Sequence, residues 1–401
     1  MFCKMLVLLM VVVLFGTLAG NVLAQDVWPP VFCGDLDEAD CALLEQAQTS
    51  MMALSSAAFV MEMDMALSIS EPDFEGFAVA FGIEGAAGAD PETLKPFMAF
   101  DPAKMGEMLE QMPDAFIEML RGIDADIVME VAIPAELLME AGMPEGIPPI
   151  EMLMTEGVLY VNVGALMPAE AAESMQMPPW MGIDIGAMYE GLFAMMSDEA
   201  MTGEMPDMAE IQEMLGNEAI WGLYDPELYE DFVIITRGAD EALDGQAMAV
   251  FYMTLDYEGM FTSEVFQAAF ADYMTFIMEM QGESMDEMDM PENFMDIMAA
   301  MMSGMDLEME QWIGLEDGYI HAFAMDMVFD MDFAAMAELM PDEDMSDAPE
   351  EFSMTMSMAM EMGDFNVPVE VVHTLILTVP PKIPLKKPLL FAPCSIIFTC
   401  K

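Results

Sequence analysis

The chain has 401 residues, 55% of them apolar, and 74 acidic against 9 basic side chains, for a formal charge of −65. So much apolar content argues against a disordered polyanion, and so much negative charge argues against a binder of nucleic acid or of anionic headgroups, whose phosphates it repels. The charge would attract cations or basic partner proteins, or serve simply as a strongly solvated, salt-tolerant exterior.

Residues 1–24, MFCKMLVLLMVVVLFGTLAGNVLA, open with Lys4, run apolar from Met5 to Phe15 and close on Val22-Leu23-Ala24. This is the pattern of a secretory signal peptide, with the mature chain expected to begin at Gln25. Leu18-Ala19-Gly20 resembles the start of a lipoprotein signal, but Asn21 stands where the lipidated cysteine would be. The expectation is a soluble exported protein, periplasmic or extracellular, with no transmembrane segment in the mature chain. Of the five cysteines, Cys3 leaves with the signal, and Cys33 and Cys41 bracket CGDLDEADC. In an oxidising compartment a short-loop disulfide is the default. The alternative, a two-thiolate metal site, lacks a nearby His or further Cys.

Residues 35–58 have the helical period, with Leu43, Leu44, Ala47, Met51 and Leu54 aligned. The period then drops to two. VMEMDMALSI (60–69) puts Met61, Met63, Met65, Leu67 and Ile69 on one face and Glu62, Asp64 and Ser68 on the other. GFAVAFGI (76–83) aligns Phe77, Val79, Phe81 and Ile83. A helical period returns over 103–121, broken by Pro113, and DADIVMEVAI (124–133) and GVLYVNVG (157–164) read as strands. PPWMGIDIGAMYEGLF (178–193) leads into a helix; DFVIITRG (231–238) and QAMAVFYMTLDYEG (246–259) read as strands, with Asp244-Gly245 a turn signal between them. A helix over 263–280 has Ser263 as its candidate N-cap. MDLEMEQWIGL follows as a further apolar-polar segment. HAFAMDMVFDMDF then sets Phe323, Met325, Met327, Phe329, Met331 and Phe333 on one face, with Asp326, Asp330 and Asp332 on the other. MTMSMAMEM (354–362) is Met at every second residue.

Eight or nine strands with one apolar and one polar face imply an antiparallel sheet wetted on one side, since a parallel βαβ sheet would show continuous apolar runs. The fold class is α+β, a curved antiparallel sheet with helices covering its concave apolar face. Residues 25–370 are expected to form one domain, in which recurring strand and helix blocks hint at two similar halves. Residues 371–401 carry four Lys, no Asp or Glu and no Met; this basic tail reads as an appendage outside the fold.

The order of helix, VMEMDMALSI, GVLYVNVG, PPWMGIDIGAMYEGLF, the Asp244-Gly245 turn before a long strand, Trp312-Ile313-Gly314 before Asp317-Gly318-Tyr319, and a closing FNVPVEV resembles the LolA-like superfamily. Within it the likeness is to LppX/LprG-type exported lipid-carrier proteins, over roughly residues 40–370. The resemblance implies a half-barrel whose helices close over an apolar cavity for acyl chains. The missing lipidation cysteine sets this chain apart from anchored members.

The 55 methionines invite two chemistries. Thioethers are soft ligands suited to Cu(I), and MEMDM, MQMPPWM, MDEMDM and MTMSMAMEM are dense in them. One strand, however, spaces same-face sulfurs about 7 Å apart, which spreads them rather than converging them. Met also fills helical core positions such as Met105, Met108, Met112 and Met119, where Leu would usually serve. The plainer account is a flexible, polarizable apolar surface. No enzyme signature stands out: the two histidines, His321 and His373, cannot form a metal triad, and no nucleophile elbow, zinc-protease helix or phosphate loop is present. DEDMSD (342–347) lacks calcium-loop spacing. Trp180, Trp221 and Trp312 suit either a ligand mouth or packing.

The sequence therefore points to an exported, non-enzymatic protein, without cofactor, that binds a lipid or other apolar small molecule. Expected lining residues are Met61, Met63, Met65, Phe323, Met325, Met327, Met354, Met356 and Met358. A Cu(I)-binding methionine protein and a structural surface protein without ligand are the rival readings.

Overall fold

The computed structural model describes residues 31–70, 76–91, 93, 115–134, 147–166, 178–196, 228–281, 294–302, 304–333 and 351–369. The expected signal peptide, the basic tail, most of helix 103–121, MDEMDM, DEDMSD and Trp221 lie outside them. In chain order the elements begin with α1 (Glu38–Met52), β1 (Ser56–Ile69), β2 (Phe77–Gly88), α2 (115–121), β3 (Asp124–Ala132), β4 (Ile150–Thr155) and β5 (Val158–Val161). There follow α3 (Val163–Leu166), β6 (Met181–Asp184), α4 (Ile185–Met196), β7 (Val233–Arg237), β8 (Glu241–Leu243) and β9 (Gln246–Leu255). The series ends with α5 (Tyr257–Thr262), α6 (Glu264–Gln281), α7 (Phe294–Met302), β10 (Met305–Gly314), β11 (Ile320–Asp332) and β12 (Glu351–Gly363). The protein is α+β, and every strand pair described below is antiparallel, as the alternating faces require.

The chain divides into two compact units. The first comprises Met1–Leu54, Asp90–Glu110 and Met208–Ala348; the second comprises Ser55–Ala89, Gln111–Asp207 and Pro349–Lys401.

In the first unit the strands run β11-β10-β9-β7, with β8 also paired to β9. Asp244 and Gly245 join β8 to β9 with positive φ at both positions (51° and 85°), and Leu243 faces Gln246 across them. That is the primed two-residue turn whose twist suits a hairpin, and the sequence signal for it holds. β9 stops at Leu255 rather than running to 259, because the Asp256 side chain accepts from the Gly259 N–H and starts α5. Ser263 closes α5, donating its N–H to the Met260 carbonyl, while its own carbonyl accepts from Gln267 in α6. Met260, Phe261 and Phe266 from this corner are buried with Phe232, Phe270 and Met298 around them.

Helix α1 packs on the same unit. The Asp37 carboxylate accepts from the N–H groups of Ala39 and Asp40, and Cys33 is disulfide-bonded to Cys41. Leu44 and Ala47 of α1 meet Ile235, Ala249, Phe251 and Ile313 in a buried cluster. The helix ends at Met52, not at 58. The backbone has by then turned into β1: Ser56 pairs with Gly88, and the Ser55 N–H donates to Asn366 Oδ1.

In the second unit the strand order is β6-β5-β4-β3-β2-β1-β12. The hairpin of β4 and β5 turns on Glu156 and Gly157, both with positive φ, with Thr155 facing Val158. Sequence periodicity misses β4 and the short β6. Helix α2 and the start of α4 lie against Ala125, Ile127, Met154 and Leu159 through Phe116, Met119, Ile185 and Tyr189.

Candidate ligand-binding face

Register turns single-strand alternation into a continuous surface. In the second unit Met61, Met63 and Met65 of β1 stand directly opposite Met360, Met358 and Met356 of β12, and Leu67 stands opposite Met354. On the other flank the same β1 residues face Ile83, Phe81, Val79 and Phe77 of β2. The rows continue: Phe81 to Val131, and Ile83 to Met129 and on to Ile150. A neighbouring row runs from Met362 through Phe59, Gly85, Ile127, Met152 and Val161 to Met181. Seven strands thus share one apolar face, about 29 Å across at about 4.8 Å per strand gap.

Exposure is uneven along this face. Met61, Phe81, Ile83, Met129, Ile150 and Met152 are buried, at 2–7% exposure. Met63, Met65, Leu67, Met354, Met356 and Met358 are only half-buried. Helices α2 and α4 cover the face at β3 to β5. Glu62, Asp64 and Ser68 alternate onto the opposite, solvated face, where their cross-strand partners include Ala359, Ser357 and Ser353.

Of the nine expected lining residues, six therefore share one face of one sheet. Met61 is 3% exposed and belongs to the floor of that face; the other five form its half-open part. Phe323, Met325 and Met327 belong to the first unit. There they stand opposite Gln311, Met309 and Leu307 of β10, and Met309 in turn faces Met253 of β9. All three are half-buried, and α1 covers the far side of that face at Ala249, Phe251 and Ile313. Phe77, Val79, Met360 and Met362 were not singled out as lining by periodicity alone; only their register with β1 reveals them.

The polar faces collect carboxylates. In the first unit Glu308 faces Asp326 directly, and Glu310 lies on the same face. Burial, and then the charges of Asp326, Glu241 and Glu308, push the Glu310 carboxyl above the usual glutamate range. In the second unit burial and then Glu151 push Asp126 upward. Trp312 donates its indole N–H to Glu241 at 3.1 Å on this acidic side, so it lines no apolar mouth. Trp180 is buried against Leu153, beside Tyr160 and Val369. His321 Nε2 lies 3.0 and 3.2 Å from the two Asp317 carboxylate oxygens, tying down the β10–β11 connection. Cys33, Cys41 and Glu45 come together within 4.8 Å. The disulfide consumes both thiolates, so this group offers no thiolate metal site.

No family model and no curated protein matches the sequence. Among solved structures, the chain is similar to the lipoprotein LppX of Mycobacterium tuberculosis, at 9% identity over 84% of this chain and 99% of that one, with a TM-score of 0.26. It is also similar to LprF of Mycobacterium bovis, at 12% identity over 82% and 94% of the two chains, again with a TM-score of 0.26. A LolA superfamily protein of Nitrosomonas europaea matches at 8% identity over 82% and 94%, with a TM-score of 0.16. Scores this low leave the functional reading to the sheets and their side chains. Among the described residues, no helix is long and apolar enough to cross a membrane.

Proposed function

We propose that the protein is an exported, non-enzymatic carrier that holds an apolar or amphipathic small molecule, of the acyl-lipid class, against the Met-rich sheet face. One observation carries this reading. An in-register apolar face across seven strands is buried at its floor but half-open at Met63, Met65, Leu67, Met354, Met356 and Met358. A face that served only as core would close there, since exposed apolar area forfeits roughly 25 cal/mol per Å². Methionine suits the role: unbranched and polarizable, it conforms to hydrocarbon chains of different shape. Half-buried Phe323, Met325 and Met327 offer a similar surface on the first unit. Retention would come from burial of hydrocarbon, and selectivity from shape, because the Glu, Asp, Ser and Thr side chains of β1 and β12 alternate onto the opposite face.

A photoreactive fatty acid tests the reading. Cross-links to Met63, Met65, Met356 or Phe77 would support it. Labelling confined to Glu62, Asp64 and their neighbours on the opposite face, or spread evenly over the chain, would refute it.

A further inference from the structure

We infer that the paired methionine ladders of β1 and β12 also bind a soft monovalent cation, Cu(I) or its analogue Ag(I), through the thioethers of Met63, Met65, Met356 and Met358. A single ladder cannot do this, because sulfurs on one strand repeat only every 7 Å or so. The structure supplies a second ladder directly opposite the first. Met63 faces Met358 and Met65 faces Met356, in adjacent rows of one register. Side chains directly opposite each other stand about 5 Å apart at Cβ. Each methionine has three rotatable bonds beyond its backbone. Two opposed sulfurs can therefore close on one ion at a metal–sulfur distance near that of other first-row sites, about 2.3 Å. The neighbouring row brings a third and fourth donor within reach.

Three further observations favour a site over mere packing. Methionine is concentrated where the two strands meet: β2, next on the same face, carries Phe77, Val79, Phe81 and Ile83 and no Met. The four residues are half-buried, open enough for an ion to enter, whereas Met61 in the following row is closed off. Strands β1, β2 and β12 contain no Lys or Arg, and Glu62 and Asp64 lie on the reverse of β1, so the local field draws cations in. Hard cations would stay with those carboxylates, and neutral thioethers select the soft ion. Binding transfers no electron and breaks no bond; the sulfurs donate lone pairs to a d¹⁰ ion.

The experiment is a Cu(I) titration of the full chain under argon, in competition with a chromogenic chelator, with free thiols blocked by N-ethylmaleimide. The inference expects at least one tightly held equivalent, with sulfur scatterers at the copper by X-ray absorption. Replacing the four residues by Leu preserves volume and hydrocarbon character. That variant should lose the equivalent while its urea unfolding midpoint stays close to the parent's. The milder pair M65L/M356L should weaken copper binding with an unchanged circular dichroism spectrum. Equal copper binding by parent and variants, or oxygen-only coordination, would overturn the inference. A parent chain that holds copper but takes up no acyl probe would sink the carrier reading alone.

Discussion

Replacing Met65 by Asp places a carboxylate in the half-open part of the face, between Met356 and Val79. Without ligand, water reaches this position, because Met65 is half-buried; Met61 on the same strand is 3% exposed and would not tolerate the change. The cost to folding should stay near about 1–2 kcal/mol. With an acyl chain laid over the face, the loss is larger. The methionine contact is worth about 1.5–3 kcal/mol, and desolvating the polar replacement adds about 1–3 kcal/mol more. The sum, about 2.5–6 kcal/mol, weakens binding about 60-fold or more at about 1.4 kcal/mol per decade. Displacement of a fluorescent fatty acid measures the affinity, and urea unfolding checks the fold. Ala66→Asp, on the opposite face against Thr355 and Ala78, is the matched control and should leave affinity unchanged. If M65D binds as tightly as the parent while folding normally, the ligand does not lie on this face.

Ile313 is fully buried under α1, and Ile313→Ala should cost about 2–5 kcal/mol of unfolding free energy in a urea titration. Replacing Cys33 and Cys41 by Ser opens a loop spanning eight positions and should cost about 2–3 kcal/mol on the loop-entropy account, read as a lower unfolding midpoint. The Glu310 carboxyl is raised by burial and by Asp326, Glu241 and Glu308, so the folded state holds its proton more tightly than the unfolded chain does. This contribution to stability is present at acid pH and is lost as pH rises through the folded value. Glu310→Gln should therefore raise the melting temperature at neutral pH, and the gain should shrink as pH falls into the ordinary glutamate range. A gain that grew on acidification would contradict the assignment.

Much of the face was legible in the sequence because a strand has a fixed period of two. Met61 to Met65, Phe323 to Met327 and Met354 to Met358 each declare a common side by alternation alone. Their partners were not legible. β1 and β12 lie almost at opposite ends of the chain, and nothing in either strand encodes that Met63 faces Met358. Burial was hidden for the same reason. Met61 and Met65 share one phase of the alternation, yet Met61 is buried and Met65 only half-buried. β4 escaped notice because Ile150–Thr155 is short, follows a Pro pair and shows no clean alternation, with Met152, Leu153 and Met154 all buried. The end of α1 was read too late because Ala57 and Ala58 are as compatible with helix as with strand. There the long-range pairing of Ser56 with Gly88 decides the outcome.

Native mass spectrometry of the protein, purified without detergent or chelator, tests the central claim most directly. A carrier predicts an added mass that disappears on organic extraction and fragments as an acyl lipid. A bare protein that also fails to take up a fluorescent fatty acid would contradict it.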